Sequence, residues 1–148
     1  MANSPHSMTD CLDGLRVVDL TRNLPGPFAT RLLADLGAEV IKIEPKNGDP
    51  ARALGDLFTA LNHGKTIEKV DFRDPKGIEA IKAHLKDADV MIDSFRPEVL
   101  EGMGLDAKTL HALNPKLVMV SITGYGVADG MSDDSNDSQI KPHIKHNW

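Results

Sequence analysis

The chain has 148 residues, and 17 Lys and Arg against 22 Asp and Glu give a formal net charge of −5. This length fits one domain, at roughly 150 residues per domain. The acidic balance disfavours a general nucleic-acid binder, which needs a basic excess. No apolar run approaches the roughly 18 residues of a membrane span, so no membrane association is expected. The single Cys11 and the absence of a signal-like first segment predict a cytoplasmic protein.

Short apolar runs alternate with segments of helical periodicity along most of the chain. Val17 and Val18 are typical of a buried strand, and Asp74 followed by Pro75 is typical of a helix start. In chain order, the predicted elements are a strand at 15–20, a helix at 27–36, a strand at 38–43, a short helix within 51–62, a strand at 65–72, a helix at 75–86, a strand at 88–92, a short helix at 97–103, a helix from 106 to 114, and a strand at 117–123.

This alternation predicts an α/β fold with a parallel sheet and helices on both faces, because parallel strands are joined by crossovers that cover the sheet. Residues 13–126 form the predicted folded domain. Residues 1–12 are polar and without periodicity, which predicts a flexible arm. Residues 127–148 are rich in Asp, Ser, His and Lys, which predicts a polar, disordered tail.

Ligands of parallel sheets gather outside the carboxyl ends of the strands. That rule predicts one crevice formed by four loops, Thr21–Pro27, Glu44–Arg52, Asp93–Arg96 and Thr123–Gly126. Three of these loops contain an arginine, and guanidinium groups hold phosphates through paired hydrogen bonds. The arginines are Arg22, Arg52 and Arg96. Each charge alone fits a solvated surface better than a site, but together the three could hold a phosphorylated ligand.

Other site types find little support. The histidines lack metal-ligand spacing, and we predict no metal site. Gly64-Lys65-Thr66 resembles the end of a P-loop, but Thr59 stands where that motif needs glycine, and a strand follows instead of a helix.

Several stretches taken together resemble the amino-terminal part of the class III CoA-transferases (CaiB–BaiF type), which include the alpha-methylacyl-CoA racemases. The stretches are Leu12-Asp13-Gly14-Leu15-Arg16-Val17-Val18-Asp19-Leu20-Thr21, Gly26-Pro27, Leu33-Ala34-Asp35-Leu36-Gly37-Ala38-Glu39-Val40-Ile41-Lys42-Ile43-Glu44-Pro45, Gly48-Asp49, Leu61-Asn62-His63-Gly64-Lys65, Ala88-Asp89-Val90-Met91-Ile92-Asp93-Ser94-Phe95-Arg96-Pro97, Asn114-Pro115 and Ser121-Ile122-Thr123-Gly124-Tyr125-Gly126.

The resemblance implies a Rossmann-like sheet that binds coenzyme A or acyl-CoA as substrate, and a homo-oligomer, since the family forms interlocked dimers. It implies acyl-CoA transfer or 2-methylacyl-CoA epimerisation. The chain is short relative to the family, so the catalytic aspartate is expected beyond its last residue and no catalytic residue is assigned. The implied CoA contacts are Asn23, Leu24, Pro25, Arg52, Lys65, Ser94, Phe95 and Arg96.

Two positions depart from the family pattern. Thr66 and Gly102 stand where members commonly carry arginine, which lowers the expected affinity for the CoA phosphates. An alternative function is a non-catalytic CoA-binding or regulatory module that pairs with a full-length relative. A receiver-like signalling domain would also suit the length, but Asp19 has no adjacent acid as such domains require.

Overall fold

The computed structural model describes residues 10–123. The predictions for residues 1–9, for 124–126 and for the tail at 127–148 lie outside the described residues. The elements, in chain order, are β1 (Arg16–Leu20), α1 (Pro25–Asp35), β2 (Glu39–Pro45), a 3₁₀ helix (Pro50–Leu54), α2 (Asp56–Asn62), β3 (Thr66–Val70), α3 (Pro75–Lys86), β4 (Val90–Asp93), α4 (Pro97–Gly102), α5 (Ala107–Leu113) and β5 (Val118–Ser121).

The strands form a single five-stranded sheet in the order β3-β2-β1-β4-β5. Every neighbouring pair is parallel. The prediction of an α/β fold with a parallel sheet is therefore confirmed. The chain adds β2 and β3 on one side of β1 and then crosses back to place β4 on the other side. This reversal creates a switch point between β1 and β4, and sheets of this kind usually bind ligands at such a point, outside the carboxyl ends of the strands.

Apolar clusters cover both faces of the sheet. Successive side chains of each strand point to opposite faces, so neighbouring residues of one strand join different clusters. Val18 and Met91 belong to the larger apolar cluster, to which α3 and α5 contribute. Val17 and Ile92 belong to a smaller cluster on the other face, against which Leu33 of α1 packs. Strands buried on both faces explain the nearly continuous apolar runs in the sequence.

Local signals set the helix ends. Asp74 caps α3 by accepting a hydrogen bond from the Lys76 amide at 2.9 Å. Gly37 follows α1 with φ +99°, a conformation that glycine adopts without steric cost. The helix predicted within 51–62 consists of two pieces that meet at Gly55, where φ is +56°.

Among the described residues, no helix combines the length and the apolar character that a bilayer crossing requires.

Candidate functional site

The loops after β1 and β4 meet at the switch point. The Arg22 amide in the first loop donates a hydrogen bond to Ser94 Oγ in the second, over 3.1 Å. Ser94 thus joins two loops that are far apart in sequence. The structure brings together two of the predicted groups, Asn23–Pro25 and Ser94–Arg96, around the crevice that the parallel order predicts.

Asn23 and Leu24 are exposed in the loop after β1, and Pro25 is the exposed first residue of α1. Asn23 has φ +67°, which is uncommon for a residue other than glycine, although asparagine tolerates it better than most. Its amide donates to Asp49 Oδ1 over 3.1 Å. The unusual turn is therefore held by a carboxylate from the loop that follows β2.

Arg52 is engaged with protein groups. Its guanidinium donates to both oxygens of Glu44, over 2.7 and 3.0 Å, and lies 4.3 Å from the centre of the Phe58 ring. The hydrogen bond to Glu44 raises the pKa of Arg52, and burial partly opposes this rise. A ligand phosphate at this position would share the guanidinium with Glu44.

Lys65 lies beneath the site. Its side chain has no exposed surface, and Nζ is 3.1 Å from Asp19 Oδ2. Nζ also donates to the Pro27 carbonyl at 2.9 Å, Thr30 Oγ1 at 2.8 Å and Asn62 Oδ1 at 3.0 Å. Burial lowers the pKa of Lys65, and Asp19 partly offsets that effect. Direct contact with a ligand would require these partners to move, and the predicted CoA contact of Lys65 stays a prediction.

Phe95 is 6% exposed and belongs to the larger apolar cluster. Its ring meets Phe72 edge to face, with 5.8 Å between ring centres, and the Arg22 guanidinium lies 5.0 Å from its centre. An adenine ring could stack on Phe95 only if Arg22 moved aside, so this contact also stays a prediction. Arg96, by contrast, is exposed at the start of α4.

A buried group of charges that the sequence patterns did not predict lies behind the loop after β1. Lys42 and Asp49 have completely buried side chains, and Lys42 Nζ lies 3.0 Å from Asp49 Oδ2. The angles at this contact are not those of a hydrogen bond, since Asp49 Oδ2 receives none. The directed hydrogen bond of Lys42 goes to the Thr21 carbonyl, at 2.8 Å. A sequence signal existed, because Lys42 stands between Ile41 and Ile43 in a buried strand, and a buried lysine requires a partner.

Asp93 ends β4 at the same rim. Its carboxylate accepts hydrogen bonds from the Phe95 amide at 2.9 Å and from Ser121 Oγ at 2.7 Å. Burial raises the pKa of Asp93, and these two hydrogen bonds limit the rise. The side chain is completely buried. Its hydrogen bond from the Phe95 amide helps to fix the loop that presents Ser94 and Arg96.

Within residues 10–123, no cluster of His, Cys, Asp or Glu has the arrangement of a metal site. Arg96 is exposed at this rim. A guanidinium group of this kind can bind an anionic group through paired hydrogen bonds.

The fold is that of a parallel α/β protein with a switch point between β1 and β4. Comparison with known proteins specifies the family. The model of CoA-transferase family III matches residues 12–139, and the chain belongs to that family. The expected resemblance is confirmed.

Similar proteins include two CoA-transferases. The chain is 39% identical over 137 residues to the succinate–glutarate CoA-transferase of Agrobacterium fabrum, covering 82% of this chain and 34% of that protein. It is 42% identical over 128 residues to the formyl-CoA:oxalate CoA-transferase of Afipia carboxidovorans, covering 80% and 30% respectively. The chain thus spans about a third of the length of these relatives.

A crystal structure of a CaiB/BaiF family protein from Brucella suis superposes with a TM-score of 0.79 at 38% identity. The superposition covers 85% of this chain and 36% of that one. The described fold therefore corresponds to one part of a larger family architecture.

Proposed function

We propose that the chain binds coenzyme A thioesters at the crevice between the loops after β1 and β4, and that the family reaction it serves is acyl-CoA transfer. The observation that carries this proposal is the junction of those loops through Arg22 and Ser94, with exposed Arg96 beside it. Two CoA-transferases among the relatives support transfer over racemisation.

The proposed contacts divide into two groups by exposure. Asn23, Leu24, Pro25 and Arg96 are exposed and would touch the ligand directly, with the Arg96 guanidinium on a phosphate. The more enclosed or already paired residues would support these contacts from behind. They are Arg52, Lys65, Ser94 and Phe95.

Isothermal titration with CoA tests the site. Arg96→Ala should weaken binding by about five- to tenfold, because one solvent-screened phosphate contact contributes ~1 kcal/mol. Lys86→Ala is the control, because it also removes one positive charge from an exposed residue. Lys86 ends α3, just before the amino end of β4 and away from the proposed site, so this variant should leave the affinity for CoA unchanged. Equal affinity of wild type and Arg96→Ala would remove Arg96 from the site, and absence of CoA binding by the wild type would refute the proposal.

A direct assay can identify the reaction. Epimerisation of 2-methylacyl-CoA is the alternative chemistry, and a non-catalytic module that pairs with a full-length relative is the alternative role. Mass-resolved assays of the purified chain with acyl-CoA and an acceptor acid separate these cases. Transfer of the acyl group supports the transferase proposal, whereas exchange of the alpha proton alone supports epimerisation. CoA binding without turnover supports the module. The cytoplasmic location stays a prediction.

We also propose that the chain forms a homo-oligomer, as the resemblance implies. An apolar groove of about 370 Å³ lies between α1 and α2. Leu24, Phe28 and Leu32 recur at helical spacing along it and are 51%, 54% and 47% exposed. Exposed apolar surface of this kind favours association. Light scattering should show a dimer or larger species that Phe28→Glu dissociates, and a monomeric wild type would contradict the proposal.

A further inference from the structure

We infer that Lys42 and Asp49 are positioning residues for CoA, which hold the loop Thr21–Pro25 in its binding conformation. This inference rests on the proposed function, because it assigns a role to two side chains that stand behind the proposed contacts. Neither side chain has exposed surface, so neither can touch a ligand in this conformation.

The backbone of this loop is held at four polar groups. The Thr21 amide donates to Asp19 Oδ1 at 2.9 Å, and the Thr21 carbonyl accepts from Lys42 Nζ at 2.8 Å. The next two amides, of Arg22 and Asn23, donate to Ser94 Oγ and Asp49 Oδ1, each over 3.1 Å. Side chains from β1, β2, the loop after β2 and the loop after β4 thus determine the path of the loop.

Lys42 and Asp49 differ from the other two partners because they act on each other. Their charges lie 3.0 Å apart, and each also binds the loop, Lys42 at Thr21 and Asp49 at Asn23. Asp49 Oδ1 accepts the Ala51 amide too, at 2.9 Å, which anchors it to the 3₁₀ helix. The pair therefore connects the loop after β1 to the loop after β2 as one rigid unit.

This rigid unit holds Asn23 in an unfavourable backbone conformation. A non-glycine residue at φ +67° costs conformational energy unless its surroundings hold it there. The amide of Asn23 points at Asp49 in this conformation, so the hydrogen bond and the turn depend on each other. A loop held in its bound shape binds more tightly, since ligand binding need not order it.

The test compares Lys42→Met and Asp49→Asn with Leu85→Ala. Lys42→Met keeps the approximate volume and removes the ammonium, whereas Asp49→Asn keeps the size and removes the charge. Leu85 is completely buried in the larger cluster, so Leu85→Ala destabilises the fold without touching the loop. CoA affinity is measured by titration under conditions where each variant is folded. Amide hydrogen exchange is measured at Arg22 and Asn23 without ligand.

Both charge variants should weaken CoA binding by about tenfold and increase exchange at Asn23 relative to the core amides. Leu85→Ala should keep the affinity within about twofold of wild type while raising exchange throughout the fold. Unchanged affinity in either folded charge variant, or an equal loss in Leu85→Ala, would overturn the inference.

Two outcomes separate this inference from the proposed function. If the wild type does not bind CoA, the proposed function fails, and with it the role in CoA binding. The exchange data then report only whether the pair holds the loop. If the wild type binds CoA and the folded charge variants bind equally well, the site stands and the positioning role is wrong. If Lys42→Met does not fold, Asp49→Asn decides between the same outcomes.

Discussion

Replacement of Lys65 by methionine should strongly destabilise the fold, because it leaves Asp19 as a buried charge without a cationic partner. Asp19 is completely buried, and Lys65 Nζ lies 3.1 Å from its Oδ2. Breaking a buried ion pair by removing one partner typically costs about 3–5 kcal/mol. The Asp19 carboxylate keeps three donors, from the Thr21 amide, Thr21 Oγ1 and Thr30 Oγ1, which favours the lower half of that range.

The double variant Asp19→Asn with Lys65→Met provides the decisive comparison. Burial lowers the pKa of Lys65, which means that the site disfavours the charged form of the lysine. A neutral pair should therefore recover about 2 kcal/mol or more of the loss, since buried ion pairs are often replaceable by neutral groups. The double variant is thus expected to be more stable than Lys65→Met alone.

Urea unfolding followed by circular dichroism measures these differences. Lys82→Met is the control, because Lys82 forms a partly exposed ion pair with Glu79 at 3.2 Å, and such a pair contributes at most ~1 kcal/mol. A loss below about 1 kcal/mol in Lys65→Met, on the same scale as surface pairs, would refute the reasoning. A double variant less stable than Lys65→Met would refute it equally.

Three further predictions concern stability. Gly77→Ala should destabilise the fold by about 1–3 kcal/mol, because a Cβ at Gly77 would lie 2.1 Å from the Asp71 carbonyl oxygen. A Cβ at Gly102 meets nothing within 4 Å, so Gly102→Ala should be neutral or stabilising. Thermal unfolding of both variants measures the difference. Asp74→Ala should cost ~1 kcal/mol by loss of the α3 cap, and Asp74→Ser should restore most of it. Burial raises the pKa of Asp93, so the native state keeps its proton after the unfolded chain has lost it. The contribution of Asp93 to the free energy of unfolding therefore falls as pH rises from its ordinary value of 3.8 through the raised one, and Asp93→Asn should remove that fall in a urea titration across pH.

Local sequence signals were sufficient to predict the strands and helices of the fold. Apolar runs such as Val17-Val18 predict strands because a parallel sheet buries both faces, and Asp74-Pro75 predicts the start of α3 from local chemistry alone. The sequence predicts a short helix within 51–62, and the structure has α2 there, separated by a break at Gly55 from a 3₁₀ helix that the sequence did not reveal. The break at Gly55 depends on a left-handed turn that periodicity does not reveal.

The candidate site was harder to predict from sequence, because its side chains are held by partners that are distant in the chain. Lys65 pairs with Asp19 across 46 positions, and neither residue indicates its partner. A lysine next to a glycine turn therefore resembled a surface cation. Phe95 follows a strand end, a position that suits either a core aromatic or a stacking platform, and Phe72 and Arg22 enclose it once the strands assemble. Burial of these side chains is a property of the assembled sheet.

The central position of β1 has a consequence for how the chain folds during synthesis. Its neighbour β2 is made immediately after it, but its other neighbour β4 ends only at Asp93. Closing so long a loop carries an entropic cost and slows folding. Until Asp93 has left the ribosome, one side of the central strand has no hydrogen-bond partner, and the nascent chain exposes unpaired backbone N–H and C=O groups with which another chain can pair.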